Sequence, residues 1–164
     1  MKPLEYMAVA DEAMTRIKKG AFLTAQTGER LNTMTIGWAM IGFVWQKPMF
    51  MVAVRDSRYT YAILENAADF TVSIPSGDLH DALMYCGTKS GRDVDKFTEC
   101  GLKTANGRSV ISPIIDTPGI HYECKIQYKT AMDPAFLDAA YDKLYPEKDY
   151  HTLYFGEIQS CYEL

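Results

Sequence analysis

Alternation of apolar and polar positions is sharpest at residues 120–128, where Ile120, Tyr122, Cys124, Ile126 and Tyr128 interleave with His121, Glu123, Lys125 and Gln127. A period of two predicts a strand with one buried and one wet face, which puts His121 in solvent. Apolar runs predict further strands at 21–26, 49–54 and 70–74, and longer ones at 32–44 and 150–162. Gly37 and Gly42 predict a bend or bulge in the second strand, and Gly156 interrupts the last. Met7, Ala10, Met14 and Ile17 recur at helical spacing, predicting an amphipathic helix over 7–19 that stops at Gly20. Shorter helices are predicted at 59–66, at 79–85 after the Pro75–Asp78 turn, and from Asp133-Pro134 to about 144, with proline in the first turn. Residues 86–97 read as a polar loop with a short helix over 93–97, and 102–118 as irregular and rich in Gly, Pro and Ser.

Six strands with short helices between them do not make the regular strand–helix alternation of a doubly wound parallel sheet. The predicted class is mainly β: a small closed antiparallel barrel with flanking helices, since closure removes exposed strand edges.

Composition changes this picture only a little. The chain of 164 residues predicts one domain, 1–164, and 48% apolar residues is ordinary for a globular core. A net charge of −4 argues against a nucleic-acid surface but leaves room for a local anion site. Met1 is followed by Lys2 and Pro3 rather than an apolar leader, and no apolar run reaches the roughly 18 residues of a membrane span. A cytoplasmic protein is therefore expected. Cys86, Cys100, Cys124 and Cys161 form no CxxC pair and no zinc-spaced cluster with histidine, so reduced thiols and no metal are expected.

Three stretches carry candidate chemistry. At 54–61, VRDSRYTY puts Arg55, Ser57, Arg58 and Thr60 at a strand-to-helix corner. Guanidinium forks, hydroxyls and free helix N–H groups together make an anion seat; the plainer reading is an N-cap, Asp56 or Ser57, beside two solvated arginines. At 32–38, NTMTIGW gives one strand an amide, two hydroxyls, a methionine and a tryptophan. Such a strand suits a flat ligand with polar edges, or an exposed face with Trp38 in the core. At 86–97, CGTKSGRDVDKF offers Lys89, Ser90, Arg92 and Lys96 on a glycine-rich segment, either as donors to an anion or as a solvated loop.

These three stretches, with WQKPMFMVAVRDSRYTYAILENAADFTVSIP and the final YHTLYFGEI, resemble the flavin reductase-like proteins of the FMN-binding split-barrel superfamily, most of all the flavoredoxin-type branch, over about 20–163. The resemblance implies a six-stranded antiparallel Greek-key barrel, a homodimer, and FMN held non-covalently near the dimer interface. It implies Asn32, Met34, Thr35 and Trp38 along the isoalloxazine and ribityl chain, with Arg55, Ser57, Arg58 and Thr60 around the phosphate. Cys86, Lys89, Ser90 and Lys96 would close over the flavin from the loop. His151 and Phe155 match the last-strand motif near the flavin or nicotinamide, although this chain has Asp149-Tyr150-His151 where many relatives have Gly-Asp-His. The implied activity is an oxidoreductase that passes electrons from NAD(P)H through FMN to flavin or another acceptor. The alternative is a flavoredoxin-like electron carrier with a redox partner protein; a barrel binding another ligand ranks below both. Chemistry would reside on the cofactor, so no catalytic triad is needed. No Gly-x-Gly-x-x-Gly fingerprint is present either.

Overall fold

The computed structural model describes residues 2–164. In chain order it contains β1 (Lys2–Pro3), α1 (Ala10–Ile17), β2 (Ala21–Thr27), β3 (Arg30–Ile36), β4 (Ala39–Val44), β5 (Lys47–Arg55), α2 (Tyr59–Leu64), β6 (Asp69–Pro75), α3 (His80–Thr88), α4 (Lys96–Glu99), β7 (Thr104–Ala105), β8 (Ile114–Ile115), β9 (Gly119–Ala131) and β10 (His151–Glu163). Two 3-10 turns, Pro134–Phe136 and Ala139–Leu144, separate β9 from β10. The main sheet runs β3-β2-β6-β9-β10-β5-β4, all antiparallel, with β1 added beside β10.

This is a mainly β split barrel, and it corrects the expectation of a closed one. The six predicted strands become eight because 32–44 divides at Gly37-Trp38 into β3 and β4, and because Lys2–Pro3 joins the sheet. β3 and β4, consecutive in the chain, are the two ends of the ladder. The barrel is split where the chain passes between them. The corner is tied down by Ala53 N–H donating to the Trp38 carbonyl (3.2 Å).

The interior is filled by alternate residues of the strands: Leu23 and Ala25, Met34 and Ile36, Phe50, Val52 and Val54, Phe70, Val72 and Ile74, Tyr122 and Tyr154. Ala13 and Ile17 of α1, four residues apart, and Ile63 and Leu64 of α2 join this core, whereas Met7, expected on the apolar face of the first helix, precedes α1 and is exposed. Gly156 is required where β10 crosses this core: a Cβ there would lie 2.7 Å from Cys124 Cβ and from the Phe70 ring.

The outer face of β2, β6 and β9 is also covered. Phe22, Leu83, Cys86 and Ile115 form a second apolar layer beneath α3 and the segment 102–118. This overturns the expected wet face of 120–128. His121 is fully buried, its Nδ1 paired with Ser73 Oγ (3.0 Å) and its Nε2 with the Thr117 carbonyl (2.9 Å). Glu123 is fully buried too. Its carboxylate accepts from the Arg108 and Ser109 amides (2.8 and 2.6 Å) and from the Tyr162 hydroxyl (2.6 Å). Asp69 holds the Ile111 and Ser112 amides in the same way (3.0 and 2.9 Å). The alternation is real, but the polar side faces a pinned loop.

β4 and the turn of its hairpin are bare: Met40, Phe43, Val44 and Trp45 are exposed, with Trp38 at the root of β4 and Tyr128 of β9 beside them, whereas Met49, Met51 and Ala53 along β5 are buried. Trp45 and Gln46, with positive φ angles of 53° and 58°, make the tight turn of the β4–β5 hairpin. The predicted helix from 133 breaks into the two 3-10 turns because Asp133 and Asp138 each accept from the amide two residues on, Ala135 (2.9 Å) and Ala140 (2.8 Å). Among the described residues no helix is long and apolar enough to cross a membrane.

Candidate functional site

The strand-to-helix corner at the end of β5 faces the segment 88–92 across a cavity of about 220 Å³. Arg58, Lys89, Arg92 and Lys96 line it with Ser57, Thr60 and Ser90, and no carboxylate does. The plain N-cap reading fails here. The cap position of α2 is Arg58, in extended conformation and with no side-chain cap bond. Ser57 Oγ instead reaches Asp149 (3.2 Å). Thr60 is buried and accepts from Asn32 Nδ2 (2.8 Å), which ties the corner to β3. Gly91 lets the opposite segment approach: a Cβ there would stand 2.2 Å from Asn32 Oδ1.

Lys96 is buried, and its Nζ donates to the carbonyls of Thr33 (3.0 Å) and Cys86 (2.9 Å). An ammonium has three protons, so one donor remains for the cavity. Burial is the main cause that pushes the Lys96 ammonium down to about 8, with nearby Arg58 adding to it. Burial and then the neighbouring Arg55 also lower Arg58. Cations made uncomfortable by burial and by one another gain most from an anion.

A second cavity, of about 180 Å³, opens at the split of the barrel. Met34, Thr35, Trp38, Ala53 and His151 line it, and Arg58 lines both cavities. Trp38 is 45% exposed and lies against His151, with ring centroids 4.7 Å apart. His151 Nδ1 meets the Tyr145 hydroxyl at 2.8 Å. The Arg55 guanidinium sits over the Tyr145 ring (5.0 Å), donates to the Leu144 carbonyl (2.8 Å) and pairs with Asp149.

The structure therefore brings most of the sequence-derived residues together and separates three of them. Asn32, Met34, Thr35, Trp38, Ser57, Arg58, Thr60, Lys89, Ser90, Lys96 and His151 surround the two cavities or hold their walls. Arg55 belongs to the Trp38–His151 side and is spent on Asp149, not on the cationic cavity. Cys86 lies on α3, which runs further than predicted. Its thiol is fully buried beside Cys100 and pushed up to about 12 by that burial, and it supplies only its carbonyl. Phe155 lies four residues along β10 from His151, in an aromatic group with Trp45 and Tyr128 by the bare hairpin turn. Tyr145 and Asp149 were missed. Both come from the irregular segment between β9 and β10, where no periodicity marks a residue as inward-facing.

Fold and site together define a split-barrel protein with a cationic pocket and an aromatic one that share Arg58 as a wall. Residues 14–163 match the flavin reductase like domain, and the chain belongs to the flavin reductase-like family. Among solved structures, the flavoredoxin of Desulfovibrio vulgaris (Miyazaki F) is similar with a TM-score of 0.71 and 26% identity, over 88% of this chain and 69% of that one. The FMN-binding protein of Thermus thermophilus shares the fold at a TM-score of 0.69 and 23% identity, over 88% and 69%. Two curated relatives are an uncharacterized protein of Archaeoglobus fulgidus, 25% identical over 137 residues, and YddH of Escherichia coli, 26% identical over 136. These matches cover 84% and 83% of this chain, but it spans only 68% and 64% of those proteins.

Proposed function

We propose that this protein binds FMN non-covalently, with the phosphate in the four-cation cavity and the isoalloxazine in the Trp38–His151 cavity. The observation that carries the reading is Arg58, which lines both cavities at the junction a phosphate-tailed planar ligand would need. The residues fit such a group. Lys96 has a spare desolvated donor, the Arg58 guanidinium makes one long hydrogen bond among the described residues (3.4 Å, to the Cys86 carbonyl), and Trp38 offers an uncovered ring face.

Bound FMN would supply hydride and electron transfer, chemistry that no side chain here provides. The chain binds and orients. Arg58, Lys96 and Lys89 neutralise the phosphate, Trp38 and Met34 flank the ring, and His151 stays neutral near pH 7 beside it because burial, then Arg55, push it down to about 4. The electron donor in this reading is NAD(P)H, and the acceptor is flavin or another small molecule. Similarity to a flavoredoxin favours a second reading, an electron carrier served by a partner protein. In either case a second copy of the chain covers the bare surface of β4 and its hairpin turn, making a homodimer with FMN beside the interface. The four free thiols suit a reduced, cytoplasmic setting.

The test is the visible spectrum after FMN loading and desalting, expected to show about one retained flavin per subunit. A colourless protein overturns the bound-cofactor reading. Rapid bleaching of the flavin by NADH or NADPH supports the reductase; bleaching only by a reduced protein donor supports the carrier.

Lys96 gives this reading a pH signature. In the free protein its ammonium titrates at about 8, and a bound phosphate raises that value by favouring the charged form. Above about pH 7, where the phosphate is fully ionised, FMN affinity therefore holds up to the free Lys96 value and falls as pH rises through it. Fluorescence titrations at a series of pH values read this directly. Affinity that stays flat through this range removes Lys96 from the phosphate site.

A further inference from the structure

We propose that Tyr145 is a positioning residue that fixes His151 as its Nε2–H tautomer, so that the imidazole presents a single N–H donor to an acceptor atom on the rim of the planar ligand beside Trp38. This rests on the FMN reading for the identity of the ligand, but the tautomer itself does not depend on it.

The geometry carries the inference. Tyr145 Oη lies 2.8 Å from His151 Nδ1 and 3.6 Å from Met132 Sδ. A hydroxyl has one proton to give. An imidazole nitrogen with a free lone pair is a much better acceptor than a thioether, so the proton goes to Nδ1. Burial raises the Tyr145 phenol, which keeps that proton in place. Nδ1 then acts as acceptor, and the ring's own proton is left on Nε2.

His151 Nε2 makes no hydrogen bond to protein among the described residues, and it is not among the fully buried unpaired atoms. It therefore keeps some contact with solvent, in a side chain that lines the Trp38 cavity. The groups packed around the imidazole come from three places. Trp38 comes from the β3–β4 corner, Arg55 from the end of β5, and Tyr145 with Asp149 from the segment between β9 and β10. Arg55 opposes a positive charge on the ring, and Asp149 is already neutralised by Arg55. A neutral imidazole with one outward N–H is the state this surrounding selects. The Arg55 bonds to Asp149 and to the Leu144 carbonyl anchor the segment that delivers Tyr145.

The test reads the tautomer by ¹⁵N NMR of the His151 imidazole in the FMN-free protein near neutral pH. The expected result is an unprotonated Nδ1 and a protonated Nε2. Tyr145→Phe should shift both nitrogens toward the averaged values of exchanging tautomers and weaken FMN binding about tenfold. Met132→Leu should change neither. His151→Gln keeps a side-chain N–H donor and should bind FMN more tightly than His151→Leu. A wild-type ring protonated at Nδ1 overturns the proposal, and that measurement needs no variant to fold. So does a folded Tyr145→Phe protein with an unchanged tautomer or unchanged FMN affinity. Failure of the wild type to bind FMN is a separate result: it removes the FMN reading and leaves the tautomer measurement standing.

Discussion

Arg58→Ala is expected to weaken FMN binding about 100-fold while leaving the barrel folded. The guanidinium lines both cavities, so its loss removes the proposed phosphate contact and the group shared with the proposed ring site. A charge-assisted bond to phosphate is worth roughly 1.5–3 kcal/mol, and a factor of 100 in affinity is about 2.7 kcal/mol. In the free protein the Arg58 side chain contributes little to stability, since among the described residues its guanidinium makes one hydrogen bond, the long contact to the Cys86 carbonyl. Removing it also relieves the repulsion that Arg55 exerts. Flavin fluorescence titration measures the affinity and thermal unfolding the stability. Wild-type affinity in a folded variant would sink the phosphate assignment. A comparable loss of stability would show that Arg58 holds the fold instead.

The second large effect lies outside the site. Glu123→Ala is expected to destabilise the fold by about 3–5 kcal/mol, since each buried donor left without an acceptor costs roughly 1–3 kcal/mol. The carboxylate is fully buried and satisfies the amides of Arg108 and Ser109 and the Tyr162 hydroxyl. Alanine leaves all three without an acceptor and a void between β9 and the loop. The midpoint of denaturant unfolding should fall accordingly, and limited proteolysis should first cut near Arg108. An unchanged midpoint would mean that solvent reaches these groups.

Glu123 also marks where the sequence stopped being readable. The period of two at 120–128 correctly gave a strand, and the other apolar runs gave the remaining long strands to within a few residues. Alternation separates apolar from polar faces, however, and does not tell a polar face in water from one bonded to a folded loop. His121 and Glu123 look identical in either case. The partners that decide it, Thr117, Arg108 and Ser109, sit in a segment with no period at all. The site was legible where residue chemistry was concentrated, as at 54–61 and 86–97. It was not legible where function depends on one residue from an irregular connection. Tyr145 and Asp149 reach the site only because 3-10 turns carry the chain back over the end of β5. The pairing of Arg55 was not legible for the same reason: its partner Asp149 lies far along the chain.

The uneven covering of the sheet sets an order of local stability. β6 and β9 are sandwiched between the core and the pinned loop, so opening them means unmaking most of the molecule. In a single chain, before a second copy covers it, β4 is an edge strand with one bare face and can detach at much lower cost. The proposed flavin pocket lies against the root of that loose strand, at Trp38. A ligand bound there would clamp the part of the protein that frays first. Cofactor occupancy would then act as a latch on the weakest edge, and gaining or losing the flavin would change how the chain breathes more than how its centre is packed.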